Sequence, residues 1–144
     1  MIAFGCDHTA AALKTELIAH LEARGLAARD FSAGGQAKTD YPIAAREVAQ
    51  AVASGACALG VLLCGTGVGM SIAANKCGGI RAACCSEPYS AMMSRRHNDS
   101  NVLCMGARVV GPELAKMILD AWLDAAFEGG RHATRVDMIT AMEN

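Results

Sequence analysis

The sequence lacks an excess of charge of either sign. It carries 13 basic and 14 acidic side chains for a net charge of −1, so no broad basic surface is available for nucleic acid or anionic lipid. No apolar run approaches the ~20 residues of a membrane span. Residue 1 leads directly into strand-like sequence, which leaves no room for a signal peptide. Linkers, low-complexity tracts and internal repeats are missing, so one domain over residues 1–144 is expected. The four histidines, His8, His20, His97 and His132, show no HxH or HExxH spacing, and no cysteine pair has zinc spacing. No metal and no cofactor are therefore expected. A GxSxG elbow is missing, which excludes the usual Ser-His-Asp hydrolase, and no Walker-type Gly-Lys-Ser/Thr occurs.

Against these absences, 53% of the residues are hydrophobic and 19% charged, enough for a substantial core and too apolar for disorder. The seven cysteines, Cys6, Cys57, Cys64, Cys77, Cys84, Cys85 and Cys104, are odd in number and include no CxxC. A secreted disulfide scaffold would be shorter and evenly paired. A reducing cytoplasm is the expectation, with most of these cysteines acting as small buried hydrophobes.

Strand and helix patterns alternate. Residues 1–6 (MIAFGC) form a buried strand pattern. A helix follows over 10–24 with Leu13, Leu17 and Leu21 on one stripe, and Gly25 is placed to stop it. Residues 26–31 give a second strand, followed by a loop with Gly34 and Gly35. Tyr41-Pro42 opens a helix that ends near Gly55. Residues 58–64 (ALGVLLC) are the third and most apolar strand, with a helix over 68–76. A fourth strand spans 80–85, a helix runs from Pro88 to about 96, and a fifth strand spans 101–106. From Pro112 a helix places Leu114, Met117, Ile118, Ala121, Trp122 and Ala125 at helical spacing, for core or dimer contact. Gly129-Gly130 breaks it before a last helix over 131–142. Alternation of this kind predicts a three-layer α/β/α fold with a parallel sheet and right-handed crossovers. Ligands then bind outside the carboxyl ends of the strands. If the first and third strands are neighbours, Cys6-Asp7-His8 and Cys64-Gly65-Thr66 face one crevice.

The segment CGTGVGM, 64–70, is the chemical centre of the sequence. One reading is a plain strand-to-helix connection, in which the glycines only supply unusual backbone angles. A dinucleotide motif fits poorly, because Met70 stands where GxGxxG needs glycine and the motif follows the third strand. The helix amino end also offers free N–H groups and a favourable dipole to a phosphate or oxyanion. The same field favours a thiolate at Cys64; a buried strand-end cysteine is the plainer alternative. Asp7-His8 sits at the same crevice. His97 ends a helix, so it belongs at the amino edge, away from Cys64; it is either a C-terminal helix charge or a group serving a neighbouring subunit. Arg131 and Arg135, spaced i, i+4, share a helix face and are either a solvated basic face or a phosphate clamp. His20, mid-helix, is expected at the surface.

Six collinear segments carry a resemblance: GCDH (5–8), DYP (40–42), CGTGVGMSIAANK (64–76), GIRAA (79–83), HNDSNVLCMGARVVG (97–111) and EGGRHATRVD (128–137). Together they resemble the ribose-5-phosphate isomerase B family, the ribose/galactose sugar-phosphate isomerases. The resemblance implies a Rossmann-like sheet of five parallel strands in the order 2-1-3-5-4 with an extra C-terminal helix. It implies metal-independent interconversion of ribose 5-phosphate and ribulose 5-phosphate through an enediolate. Cys64 would be the base, and Gly65, Thr66, Gly67, Val68 and Gly69 the anion hole. His97 would help to open the furanose ring, with Thr66 and Asp7 assisting. His8, Arg131 and Arg135 would hold the phosphate, Asn98 and Arg108 would touch substrate, and Tyr41 would wall the site. Two subunits of a homodimer, or of a dimer of dimers, would share each site, His97 and the last helix coming from the partner.

A family branch that lacks the cysteine has a glutamate at the position of Met70; this chain aligns with the cysteine branch. Thr9-Ala10 stands where many relatives have Ala-Gly, and Cys6 replaces a more usual serine, which would put a second, oxidation-sensitive thiol near the site. The alternatives are the same chemistry on allose 6-phosphate, galactose 6-phosphate or a tetrose phosphate, a non-catalytic phosphosugar-binding module, and a redox-sensing thiol protein.

Overall fold

The most apolar runs of the chain become the middle of one sheet. The structure, a computed structural model, describes residues 1–32 and 40–143. In it β1 (Ile2–Cys6), β3 (Leu59–Cys64) and β5 (Val102–Gly106) lie side by side. The short strands β2 (Ala28–Asp30) and β4 (Ala82–Cys84) form the edges, giving the order β2-β1-β3-β5-β4. Every pairing is parallel, which requires both faces to be covered. Among the described residues α1 (Ala11–Ala23), α2 (Tyr41–Ala53), α3 (Val68–Ala74), α4 (Pro88–Asn98) and α5 (Pro112–Leu123) cover them, and α6 (Arg131–Thr140) follows.

Because strand side chains alternate, each strand feeds two cores. Phe4, Val61, Leu63, Leu103 and Met105 meet Leu13, Leu17 and Leu21 of α1, Ala91 of α4, and Ile118, Leu119 and Trp122 of α5. Ala3, Leu62, Cys64, Val102 and Cys104 meet Ala45, Val48, Ala49 and Val52 of α2, and Met70 and Ala74 of α3. The alternating pattern thus yields the expected three layers, with α6 added against α4.

The elements depart from the sequence expectations at their ends. The first helix begins with a 3-10 turn at His8–Ala10, capped by the Asp7 side chain, and only then becomes α1. The second and fourth strands are shorter than expected, at three residues each, because edge strands stop where only one neighbour remains to pair. The loop expected at Gly34 and Gly35 lies outside the described residues. His20 is not a free surface residue: its Nε2 lies 2.9 Å from Asp120 Oδ1 of α5, in a cluster with Arg24 and Asp124. Met117 is 60% exposed, whereas Trp122, on the inner side of α5, is fully buried.

Candidate active site

Parallel registry brings the two loops together. Cys6 pairs with Leu63 and Cys64 with Gly106, and the Asp7 N–H donates to Leu63 O at 3.2 Å. The chain leaves β1 and β3 at the same level of the sheet. Past Cys64 the backbone turns at Gly67, whose φ of +82° is left-handed and therefore open to glycine with little strain. This turn carries the Gly67 N–H back to the sulfur of Cys64 at 3.1 Å. Among the described residues no other cysteine sulfur accepts a backbone N–H. The buried sulfur of Cys64 thus faces a backbone amide donor at the start of α3.

The turn is held from below and walled at its sides. Ala107 N–H donates to Cys64 O at 2.8 Å and Arg108 N–H to Gly65 O at 3.0 Å, tying it to the end of β5. A Cβ on Gly106 would sit 2.6 Å from the Thr66 backbone, and one on Gly69 would sit 2.2 Å from Tyr41 Cε1. Gly106 is thus required by close approach to backbone, whereas a side chain at Gly69 would have to displace the Tyr41 ring. Tyr41, Asp7, His8, Asp40 and Pro42 line a crevice of about 400 Å³. Thr9 fixes the carboxylate of Asp7, whose Oδ1 accepts from Thr9 N–H at 2.9 Å and from Thr9 Oγ1 at 2.5 Å. Thr66 Oγ1 accepts the Val68 N–H at 3.3 Å. The half-buried and exposed residues Gly65, Thr66, Val68 and Gly69 border Cys64, and the Arg108 side chain reaches over Gly65.

The structure brings Asp7, His8, Tyr41, Cys64, Gly65 through Gly69, and Arg108 to the carboxyl edge. It does not bring His97, Asn98, Arg131 or Arg135 there. α4 ends at Asn98, just before β5 starts at Val102, so His97 lies at the amino edge. The five residues of β5 separate the edges by about 13 Å at ~3.3 Å rise per residue. Arg131 and Arg135 are exposed on α6, and no ion pair engages either among the described residues.

Two features escaped the sequence. His132 stacks on His97 with ring centroids 4.0 Å apart and an interplanar angle of 7°. Glu128 Oε1 lies 3.7 Å from His97 Nε2 and 3.8 Å from His132 Nε2. Glu128 and His132 are four residues apart, but His97 is distant from both in sequence, and the packing of α6 on α4 joins it to them. The second is Cys84, whose sulfur lies 3.6 Å from Thr66 O. It, and not Cys6, is the second thiol beside the turn. Cys6 is one residue out of phase with Cys64 across the ladder, so it points into the opposite core. Burial pushes the thiols of Cys6, Cys84 and Cys104 up, and that of Cys85 to about 11.

Known proteins share this architecture along its full length. The chain is 61% identical over 142 residues to ribose-5-phosphate isomerase B of Escherichia coli, covering 99% of this chain and 95% of that one. It is 46% identical over 144 residues to D-erythrulose-4-phosphate isomerase of Pectobacterium atrosepticum, at 99% and 95% coverage. The solved structure of ribose-5-phosphate isomerase B from Clostridium thermocellum superposes with a TM-score of 0.95 at 52% identity, covering 98% of this chain and 95% of that one. The family model described as Ribose/Galactose Isomerase matches residues 2–139, and the chain belongs to that family.

Proposed function

We propose that the protein interconverts ribose 5-phosphate and ribulose 5-phosphate, with Cys64 as the proton-transfer base. The observation that carries the assignment is the 3.1 Å contact from the Gly67 N–H to Cys64 Sγ, in a chain that matches ribose-5-phosphate isomerases along its length. In the first step a base takes the proton of the anomeric hydroxyl. The bond from C1 to the ring oxygen breaks, and its electron pair stays on that oxygen, which is protonated. His97 serves this step, with Asp7 and Thr66 assisting. The Cys64 thiolate then removes the C2 proton and the electrons move onto O1 as an enediolate. Returning the proton to C1 while the O2 proton passes to O1 gives the ketose, with its C1 hydroxyl and C2 carbonyl and no net oxidation. Donors at Gly65, Thr66, Gly67, Val68 and Gly69 face the developing charge, the interaction that accelerates such a step most. Because Gly67 already serves the sulfur, its N–H is shared between the base and the oxyanion.

The crevice of one chain is incomplete without His97, Asn98, Arg131 and Arg135, which lie at its other edge. We infer a homodimer, alone or paired into a tetramer, in which His97 of the partner subunit completes each crevice. His8 on one side, with Arg131 and Arg135 of the partner subunit on the other, holds the phosphate, and Arg108 with Asn98 of the partner subunit touches the rest of the substrate. Seven free cysteines suit a reducing cytoplasm, and no helix among the described residues is long and apolar enough to cross a membrane. The chain acts as one sugar-phosphate isomerase domain.

The 46% identity to a tetrose-phosphate isomerase favours a second reading, the same chemistry on a shorter sugar. Turnover of ribose 5-phosphate, erythrose 4-phosphate, allose 6-phosphate and galactose 6-phosphate, measured with chelator present, separates the two. The highest kcat/KM on ribose 5-phosphate is expected. A highest value on another sugar keeps the mechanism and moves the substrate, and silence on all four rejects the isomerase.

A further inference from the structure

The cluster at the amino edge is more ordered than a solvent-facing helix end requires. The backbone around His97 is fixed: Arg81 Nε donates to Asn98 O at 3.1 Å and to Asp99 O at 2.9 Å, and Arg95 Nη1 donates to Asp99 Oδ1 at 3.1 Å. Glu128 N–H donates to Arg96 O at 3.0 Å, sewing the segment before α6 to the end of α4. His132 is 7% exposed, and its Nε2 is buried without a hydrogen-bond partner among the described residues. An unsatisfied buried nitrogen costs stability and is retained here directly behind the ring of His97.

We propose that His132 and Glu128 are positioning residues for His97, His132 holding the plane of its ring and Glu128 taking up the charge when it is protonated. The proposal rests on His97 being the ring-opening group. Stacking leaves the His97 imidazole, 39% exposed, free to present its edge while its face is fixed. A second charged imidazole in the stack would repel the imidazolium form of His97. Burial, followed by the charges of His97 and Arg131, holds His132 below the ordinary histidine value, opposed by Glu128. The charged form of His132 is thus disfavoured, which limits like-charge repulsion within the stack. Glu128, within ion-pairing distance of both Nε2 atoms, offsets the charge; Arg131 and Arg135 are the cations that oppose it. All three residues belong to one chain, so the unit reaches the partner's crevice already assembled.

Ribulose 5-phosphate makes a selective test possible. Its C5 oxygen carries the phosphate, so it cannot close a furanose, and deuterium uptake at its C1 from D2O reports enolisation without ring opening. We expect His132→Ala and Glu128→Gln to lower kcat on ribose 5-phosphate about tenfold or more, since general acid–base groups contribute ~10²–10⁴ in rate. Deuterium uptake should stay within about twofold of wild type by the same reasoning. His132→Phe, which keeps a flat neutral ring, should recover most of the ribose 5-phosphate turnover. Equal losses in both readouts, or unchanged ribose 5-phosphate turnover, would overturn the proposal. His97→Ala is the control: a split between readouts for it alone rejects positioning only, whereas no split for it rejects the role of His97 itself. If His132→Ala fails to fold, Glu128→Gln, altered at a half-exposed side chain, decides.

Discussion

The crevice at the carboxyl edge and the histidine cluster at the amino edge are built in opposite ways. The first is local: Cys64, the turn and the start of α3 are consecutive, and the sulfur is met by an amide three residues on. The second is assembled from α4, the segment before α6, and α6, joining residues as far apart in sequence as His97 and His132. One is a backbone device in which glycines permit approach. The other is a side-chain device in which aromatic stacking and a shared carboxylate set the geometry. On the proposed roles, enolisation and ring opening are tuned on separate parts of the chain.

The sharpest way to break this comparison is at the sulfur. Cys64→Ala should lower kcat about 10³-fold or more, the scale of losing an activated catalytic group, in turnover and in deuterium uptake alike. Its melting curve should persist, because a small side chain replaces another at the end of β3. Near-normal turnover would remove Cys64 from the mechanism. Gly106→Ala should come next. The added methyl meets Thr66 backbone at 2.6 Å, an overpacking that costs about 1–3 kcal/mol and displaces the turn. Denaturant unfolding and kcat should both register it, and a silent substitution would show that the turn tolerates movement. Arg135→Ala should act more mildly, raising KM about tenfold with kcat nearly unchanged, because phosphate binding is largely uniform between ground and transition states. A pure kcat effect would contradict that role.

The smallest effect concerns acid. His132 binds its proton less well folded than unfolded, so the unfolded state takes up more protons as pH falls through the ordinary value of 6.5. Its contribution to stability is complete above that pH and declines below it until the folded group also titrates. Replacing His132 by Phe should flatten the fall in Tm between pH 7.5 and about pH 5. An unchanged slope would mean that another group dominates acid sensitivity there.

Much of this was legible in the chain. Apolar runs place β1, β3 and β5, because strands buried on both faces cannot tolerate polar residues, and glycine and proline punctuation with the strand–helix alternation places the edge strands β2 and β4. The Cys64 turn was visible because its parts are contiguous. The far-edge position of His97 is legible too, since a helix between parallel strands must end where the next strand begins. Cys6 adjoins Asp7 but takes the opposite face of the sheet from Cys64, a difference set by the ladder register, which the sequence alone does not give. His132 and Glu128 were invisible because no periodicity links them to His97. Their meeting depends on the path of the chain through Gly129-Gly130 and on the packing of α6 against α4.

The central claim is that these two regions, at opposite edges of one chain, form a single site only across two subunits. Cys64→Ala and His97→Ala, each inactive on ribose 5-phosphate alone, should be mixed in equal amounts and their subunit exchange followed by native mass spectrometry. Mixed dimers hold one complete site each, so turnover should recover to about a quarter of the wild-type value at full exchange in a twofold-symmetric dimer. Turnover no higher than that of the separate variants, with exchange complete, would contradict the shared site.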